Sequence, residues 1–172
     1  MNHRVFLSIG SNLGNRLEFL QRGVDMLGAI EGVSIAAVSS VYETEPVGNK
    51  NQPPYLNAAL ELRCSLAPDE LVAQLKAAER TIGRSSSERW GPREIDLDLV
   101  YYADVVTVAP GLAVPHPEAE RRKFVLVPIA ELSPTFIDPK RQRTVGDLLR
   151  DCTDTSAVDK IASKLQPPAP ER

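Results

Sequence analysis

The feature that most constrains this chain is a short alternating run, IDLDLVY, at residues 95–101. Alternation of apolar and polar side chains predicts a β-strand, because neighbouring residues of a strand point to opposite faces. One face of the predicted strand is apolar and belongs in a core, through Ile95, Leu97, Leu99 and Tyr101. The other face carries Asp96 and Asp98, whose Cα atoms lie about 6.6 Å apart at the usual rise of ~3.3 Å per residue. The run therefore predicts a sheet with one packed face and one face on which two carboxylates repel each other.

Length and charge limit the kind of protein that can carry this strand. The chain has 172 residues and a mass of 18.8 kDa, which is enough for one core of its own. A formal net charge of -3 and a pI near 5.5 exclude a general attraction to nucleic acid or to anionic membranes. Any phosphate binding must then come from a local cluster of cations. We predict a single domain over residues 1–163 and a disordered tail at residues 164–172, which are rich in proline and polar residues.

The compartment is predicted from the N-terminus and the cysteines. The N-terminal apolar run is too short for a signal peptide, and no segment approaches the ~18 apolar residues of a membrane span. Cys64 and Cys152 are far apart and lack the spacing of a zinc site or a disulfide framework. We therefore expect a cytoplasmic protein with two reduced thiols.

The order of the predicted elements indicates an α+β fold. Strands are predicted for residues 4–9, 33–44, 55–64 and 95–101. Helices are predicted for residues 17–27, 67–83, 123–132 and 144–152. Asn15 and Glu18 have the spacing to cap the first helix, and Gly83 can end the second. A predicted hairpin between the second and third strands favours a sandwich over a doubly wound parallel sheet.

A glycine-containing loop, GSNLGN, follows the first predicted strand. Glycines between a strand and a helix can expose backbone N–H groups to a phosphate. The loop nevertheless matches neither the P-loop pattern nor the Gly-x-Gly-x-x-Gly pattern of dinucleotide-binding proteins. We predict that it is a tight turn that shapes the wall of a pocket.

Asp96 and Asp98 have two interpretations. The simpler one is a strand face exposed to water, since Asp-x-Asp occurs often by chance. The other is a Mg²⁺ site, because Mg²⁺ typically takes one or two carboxylates and completes its shell with water and phosphate oxygens. The preceding residues favour the metal site: Trp90 lies in a rigid turn, and Arg84 and Arg93 have guanidinium groups suited to phosphate oxygens.

Asn57 and His116 are weaker candidates when taken alone. Asn57 shares a strand face with Tyr55, and its amide both donates and accepts, as the edge of an amide-like heterocycle requires. A structural hydrogen bond is the more common role for such a residue. His116 is a candidate phosphate ligand because it lies near Arg122 and Phe124 in sequence, although a lone histidine is more often structural.

The resemblance to a known family rests on five segments between residues 7 and 132: SIGSNLGNR, SSVYETEPVG, QPPYLNAAL, RWGPREIDLDLVYY and VPHPEAERRKFVLVPIAEL. Together they resemble the 6-hydroxymethyl-7,8-dihydropterin pyrophosphokinases of folate biosynthesis, and RWGPREIDLDL followed by VPHP is the most specific part. The resemblance implies transfer of pyrophosphate from ATP to the hydroxymethyl group of the pterin, with release of AMP. It also implies a ferredoxin-like three-layer sandwich, in which a central, mainly antiparallel sheet has helices on both faces.

The resemblance also implies a role for individual residues. Asp96 and Asp98 match the pair that holds two Mg²⁺ ions against the triphosphate. The catalytic set is expected to be Arg84, Arg93, Asp96, Asp98 and Arg122. The expected pterin-binding residues are Thr44, Pro46, Val47, Tyr55, Asn57, Trp90, Asp96 and Phe124. The expected ATP-binding residues are Glu79, Arg84, Trp90, Arg93, Ile95, His116 and Arg122.

Two features depart from the family pattern. The loop RSSSERW is short, and Gly111 and Ala113 stand where an arginine and a threonine are frequent. We expect these differences to affect ATP affinity and loop closure, not the activity itself. The expected partners are ATP and the pterin, bound by a monomer that contacts neither nucleic acid nor a membrane.

Two other functions stay open at this stage. One is a different metal–nucleotide transferase that uses its Asp-x-Asp, and the other is a non-catalytic ferredoxin-like binding module. An RNA-binding module would carry basic and aromatic residues together on its sheet, whereas this face carries carboxylates.

Overall fold

The computed structural model of the protein describes residues 2–46, 48, 50–83 and 94–169. The strands are β1 (His3–Ser11), β2 (Val33–Val38), β3 (Tyr42–Thr44), β4 (Tyr55–Cys64), β5 (Asp96–Tyr102), β6 (Thr107–Ala109), β7 (Leu112–Val114), β8 (Ile137–Asp138), β9 (Arg143–Thr144) and β10 (Val158–Lys160). The helices are α1 (Arg16–Gly28), α2 (Pro68–Ile82), α3 (Lys123–Leu132) and α4 (Val145–Arg150), with one 3₁₀ turn at Ala119–Arg121. None of the described helices is long and apolar enough to cross a membrane.

A six-stranded antiparallel sheet organises the described part of the chain. Its strand order is β10-β3-β4-β1-β5, and β2 pairs with β4 beyond the end of β3. The predicted strand over residues 33–44 is therefore two strands. At the break, the Ser39 N–H donates to the carbonyl of Ala59 (2.9 Å), and the Ser39 hydroxyl accepts from the Ala59 N–H (2.8 Å). The hydroxyl thus replaces a backbone acceptor, which lets the chain bend while β4 stays paired.

Each face of the sheet carries its own core. The first core joins one face to α1 and α2, and its helical members include Leu20, Val24, Leu27, Leu71 and Leu75. The second core joins the opposite face to α3 and α4, and its members include Phe6, Ala59, Tyr101, Leu126, Ile129 and Leu148. The described helices therefore lie on both faces of the sheet, as the family resemblance implied.

The second core covers only part of its face of the sheet. Along β1 that face begins with Phe6 and continues with Ser8 and Gly10. Along β4 it runs from Ala59 to Asn57 in the same direction. The face is thus mainly apolar where α3 and α4 cover it, with an Arg4–Glu61 ion pair near the end of α3, and it carries small and polar residues beyond them, where a site can form.

The strand with the two aspartates contains a β-bulge that the sequence analysis missed. Leu7 pairs with Leu99 but Phe6 pairs with Tyr101, so Val100 is one extra residue in β5. The predicted alternation holds through Leu99 and then changes phase. Tyr101 consequently packs in the second core, not the first, and Tyr102 takes the predicted place of Tyr101 in the first core.

The predicted helix ends are confirmed. The Asn15 side chain accepts a hydrogen bond from the Glu18 N–H (3.2 Å) and donates one to the Glu18 carboxylate (3.0 Å). Gly83 ends α2 with φ at 112°, a left-handed conformation that glycine adopts at little cost. These local signals define where α1 begins and where α2 stops.

The described part of the tail packs on the protein. Leu165 is 5% exposed and belongs to the first core. Gln166 exchanges two hydrogen bonds with the Gln21 side chain of α1, both at 2.8 Å. Leu165, Pro168 and this hydrogen-bond pair hold the described part of the tail against the protein, and the disorder of residues 164–172 stays a prediction.

Replacing Leu165 by alanine tests this packing. We expect the free energy of unfolding to fall by about 2–4 kcal/mol, because the change removes a buried side chain and leaves a cavity. Urea denaturation measures it, and Lys164→Ala is the matched control because Lys164 is exposed. Equal stability of the two variants would show that residues 164–169 do not pack on α1.

Candidate functional site

A cavity of about 860 Å³ lies over the polar part of the sheet. Its floor is formed by β1, β4 and β5. One wall is the loop after β3, with Thr44, Pro46 and Lys50. The opposite wall is residues 116–124, and residues 154 and 156 of the C-terminal segment close one side. We call this the main cavity; of the described predicted site residues, it is lined by Thr44, Pro46, Tyr55, Asn57, Asp96, Asp98, His116, Arg122 and Phe124, whereas Glu79 and Ile95 do not line it.

The floor is set by the register of three strands. Asp96 of β5 lies opposite Gly10 of β1, which in turn lies opposite Asn57 of β4. Asp98 lies opposite Ser8 in the adjacent row. The two aspartates therefore share one face of the sheet, as predicted, and both open into the main cavity.

Gly10 has no side chain for a specific steric reason. A Cβ atom built there would lie 2.5 Å from the Asn57 Oδ1 and 3.3 Å from the Tyr55 ring. The Asn57 amide cannot easily turn away, because its Nδ2 donates to the Thr44 hydroxyl at 2.6 Å. Asn57 and Thr44 are 4% and 3% exposed. The absence of a side chain at residue 10 thus leaves room for an oriented amide oxygen on the floor of the cavity.

Glu79 supports the aspartate strand from its outer edge. It is 1% exposed, and its Oε1 accepts from the N–H of Leu97 at 2.9 Å. Leu97 lies between the two aspartates, on a strand whose only described sheet partner is β1. Lys76 forms an ion pair with the other oxygen of Glu79 at 3.7 Å. The buried carboxylate therefore fixes the backbone from which both aspartates project.

His116 is held by two backbone contacts. Its N–H donates to the carbonyl of Val100, the bulge residue, at 2.9 Å, and its Nδ1 accepts from the Glu118 N–H at 3.1 Å. An imidazole that accepts at Nδ1 carries its proton on Nε2. Burial lowers the pKa of His116 below its ordinary value, Asp98 opposes this shift and Arg122 adds to it. His116 therefore presents a neutral ring with one donor.

Arg122 and Phe124 lie where α3 begins. Both line the main cavity, and the guanidinium carbon of Arg122 is 5.8 Å from the centroid of the Phe124 ring. Tyr55 lines the same cavity from β4. The cavity therefore combines two aromatic rings with cationic side chains (Lys50, Arg121 and Arg122) and the carboxylates of Asp96 and Asp98 on its floor.

The glycine-containing loop after β1 braces the loop that follows β3. The Asn12 amide donates to the side chain of Gln52 (2.9 Å) and to the carbonyl of Pro53 (3.1 Å). Arg16 donates to Glu43 and to the carbonyl of Pro54, both at 3.0 Å. Gly14 makes the turn itself at φ 69°. The predicted tight turn thus supports a wall of the cavity and does not line it with backbone N–H groups for a phosphate.

A smaller cavity of about 210 Å³ adjoins the main one. Both are lined by Asp98, His116 and Pro117, so they are neighbours across these residues. The smaller cavity is otherwise mainly apolar, with Leu97 and Leu99 among its lining residues. Gly111 and Ala113, the positions that depart from the family pattern, also line it.

Some predicted site residues are not where a ligand could reach them. The side chain of Ile95 is fully buried in the first core beside Gly23, so only its backbone could meet a nucleotide. Four other predicted residues lie outside the described residues: Val47, Arg84, Trp90 and Arg93. Within the described ranges, no group of three or more His, Cys, Asp or Glu side chains has the geometry of a complete metal site.

The sequence analysis missed other residues that line the main cavity. Gly10 and Ser8 enter the floor only because of the β1–β5 register. Asp154 and Ser156 come from the far end of the chain, where no motif marked them. Their short polar side chains lack a local signal, although a glycine inside a predicted strand indicates a close approach of another group.

Over most of its length, the chain is similar to proteins of one known family. The family model described as 7,8-dihydro-6-hydroxymethylpterin-pyrophosphokinase matches residues 6–134. A Synechocystis protein named 2-amino-4-hydroxy-6-hydroxymethyldihydropteridine pyrophosphokinase is 39% identical over 164 residues, which cover 95% of this chain and 83% of that protein. A Bacillus subtilis protein of the same name is 40% identical over 132 residues, covering 77% and 79% of the two chains.

Solved structures agree at the level of the fold. The crystal structure of Plasmodium falciparum HPPK-DHPS A437G/K540E with pterin and p-hydroxybenzoate superposes with a TM-score of 0.68 at 12% identity. The match covers 87% of this chain and 44% of that longer chain. With a family model over most of its length and two relatives near 40% identity, the chain belongs to the 7,8-dihydro-6-hydroxymethylpterin-pyrophosphokinase family.

Proposed function

We propose that the main cavity is the active site, where ATP and 6-hydroxymethyl-7,8-dihydropterin meet over Asp96 and Asp98. As a member of its family, the chain is a pyrophosphokinase of folate biosynthesis. The observation that carries the assignment of the site is that two carboxylates open into a cavity that also holds Tyr55, Asn57 and Phe124. A face merely exposed to water would not need aromatic walls or an oriented amide beside its acids.

Asp96 and Asp98 are suited to hold the two Mg²⁺ ions that accompany ATP. They offer hard oxygen ligands on one face of a strand, and two carboxylates suffice because substrate phosphates and water complete a Mg²⁺ shell. When bound, the ions neutralise charge on the phosphates and orient them for in-line transfer. Glu79 keeps the intervening Leu97 fixed, so the spacing of the two carboxylates is set before any ion binds.

The pterin is expected at the end of the cavity near Asn57. Its flat ring fits between Tyr55 and Phe124, whose aromatic faces favour stacking. Its amide-like edge would be read by the Asn57 oxygen, which the bond to Thr44 orients, while Pro46 adds apolar contact. Val47 and Trp90, outside the described residues, belong to the same proposed set.

The nucleotide is expected on the side of His116. The Nε2–H of His116 and the guanidinium of Arg122 are donors for phosphate oxygens, and Arg84 and Arg93 are proposed to add charge from outside the described residues. The smaller cavity would take the adenosine, because it adjoins Asp98 and His116 and has apolar walls. Glu79 supports this arrangement indirectly, because it accepts a hydrogen bond from the N–H of Leu97 in β5.

The reaction needs little acid–base chemistry from the protein. The substrate hydroxyl oxygen forms a bond to the β-phosphorus of ATP while the bond from that phosphorus to the α,β-bridging oxygen breaks. AMP leaves with the bridging oxygen, and the hydroxyl proton passes to water. Transfer of this kind depends mainly on positioning and charge stabilisation. Residues that fix the two substrates in line are therefore the ones expected to control the rate.

The finer description of the protein is also a proposal. The all-antiparallel order of the sheet, with described helices on both faces, supports a ferredoxin-like sandwich. Two free thiols support a cytoplasmic location. Among the described residues, the large apolar side chains that are exposed are Val106, Val108 and Ile137, which supports a monomer.

The direct test is AMP release from ATP and Mg²⁺ with and without 6-hydroxymethyl-7,8-dihydropterin. We expect AMP only when the pterin is present, and mass spectrometry should find a pterin product heavier by one pyrophosphate group. ADP as the nucleotide product, or no turnover by folded protein, would contradict the proposed reaction.

Replacing Asp96 or Asp98 by asparagine tests the metal assignment. Each change keeps the side-chain shape and removes a charge, so we expect kcat to fall by at least about a hundredfold, with little change in Tm. Asp104→Asn is the matched control, because Asp104 is exposed just beyond β5. Near-normal turnover in either site variant would show that its carboxylate does not hold an ion that the reaction needs.

Gly10→Ala tests the floor of the pterin site. The new methyl group would meet the Asn57 oxygen, so the amide must move by a distance comparable to 1 Å. We expect the KM for the pterin to rise roughly tenfold or more, since misplacement of this size costs up to about 10²-fold. Gly23→Ala is the control, because a methyl group there meets its neighbours only at ordinary contact distance. If the two variants had the same KM, Asn57 would not read the pterin.

A further inference from the structure

The first turn of α3 carries the aromatic wall of the proposed pterin site. Phe124 is the second residue of the helix, and Arg122 is its N-cap. The first N–H groups of any helix lack partners within the helix. Arg122 provides no side-chain cap, although its carbonyl accepts from the N–H groups of Val125 (3.0 Å) and Leu126 (3.1 Å). The N–H of Lys123, directly before Phe124, needs an acceptor from elsewhere.

Asp154 supplies that acceptor from a distant part of the chain. Its Oδ2 accepts from the Lys123 N–H at 3.0 Å, across 31 residues of sequence. Its Oδ1 accepts from the Ser156 N–H at 2.9 Å. Burial would raise the pKa of Asp154, but the hydrogen bonds from Ser156 and Lys123 outweigh it and the pKa is lowered. A charged carboxylate therefore lies at the positive end of the helix dipole, where it is stabilising.

The same part of the chain is attached to the opposite wall. The N–H of Ala157 donates to the carboxylate of Glu45 at 3.3 Å, and Val158 of β10 pairs with Thr44 of β3. Residues 154–158 thus contact both the wall at Thr44 and the wall that ends at Phe124. They link two sides of the cavity in which the pterin is proposed to bind.

We propose that Asp154 is a positioning residue for the transfer reaction, in which its carboxylate caps α3 across the cavity and fixes Phe124 against the bound pterin. This inference rests on the proposed function of the main cavity, because Phe124 has a substrate to contact only if the pterin binds there. Asp154 lines the main cavity, and each of its carboxylate oxygens accepts a hydrogen bond from a backbone N–H, so its proposed role is positioning. It acts through the first turn of α3.

Aspartate suits this position better than related residues. Asparagine has one carbonyl oxygen and no charge, so it can accept from Lys123 only by giving up the acceptor for Ser156. Alanine removes both acceptors. The size of the functional loss should therefore increase from aspartate through asparagine to alanine.

The test compares Asp154→Ala and Asp154→Asn with Asp159→Ala, an exposed carboxylate on β10. AMP release is measured at 25 °C, with circular dichroism to establish that each variant is folded. We expect kcat/KM for the pterin to fall about fivefold to tenfold in Asp154→Ala, a factor that corresponds to the stability a helix cap usually contributes. The fall should be smaller in Asp154→Asn. Asp159→Ala should match the unmodified protein. Unchanged kcat/KM in folded Asp154→Ala, or a loss shared by Asp159→Ala, would overturn the inference.

A double-mutant cycle with Phe124→Ala separates positioning from a general loss of stability. If Asp154 acts by fixing Phe124, then Asp154→Ala should cost less than about twofold once the ring is gone. The full fivefold to tenfold loss in that background would show that Asp154 does not act through Phe124.

The two proposals fail in distinguishable ways. The unmodified protein alone decides the function, since absence of pterin-dependent AMP from it contradicts the reaction. The inference about Asp154 is decided only by variants of a protein that turns over.

Discussion

The partial cover of one sheet face is the constraint on which the rest of the structure depends. Strands alternate, so every residue that faces away from α1 and α2 faces α3, α4 or open space. Where α3 and α4 lie, the face is apolar, as at Phe6 and Ala59. Beyond their reach the same strands carry Gly10, Asn57 and Asp96 in one row. A cavity with a rigid floor results directly from helices that are too few and too short to cover the sheet.

That floor is rigid because the neighbouring groups restrain each other. Asp96 and Asp98 project from a strand whose edge is satisfied by Glu79, and Asn57 is held by Thr44. Groups fixed in this way pay little reorganisation cost when a charged substrate arrives, which is the basis of electrostatic preorganisation. Two like charges on one strand face repel each other, and a bound cation would offset this repulsion, which fits the proposed metal site.

The sequence predicted the parts of this structure that depend on local signals. The caps of α1 and α2, the shared face of Asp96 and Asp98, and the pairing of β4 follow from spacing and residue type. It could not predict the bulge at Val100, because a bulge changes the alternation without a characteristic residue. It also could not bring Asp154 or Gly10 to the site, since register and the path of the C-terminal residues are set by long-range packing. The contacts of the proline-rich tail could not be predicted for the same reason: Leu165 packs on partners far away in sequence.

The bulge in β5 has a consequence for how this strand can vary in length. Val100 and Tyr101 both contact the second core, so a strand shorter by Val100 alone would still turn Leu99 and Tyr102 to the first core and Tyr101 to the second. Such a chain would lose a packed valine and the backbone carbonyl that accepts a hydrogen bond from the N–H of His116. The sheet pairing could continue without the extra residue, whereas the position of His116 could not be kept. Among sequences that share this fold, we therefore expect β5 to keep a fixed length and to tolerate substitutions more readily than deletions.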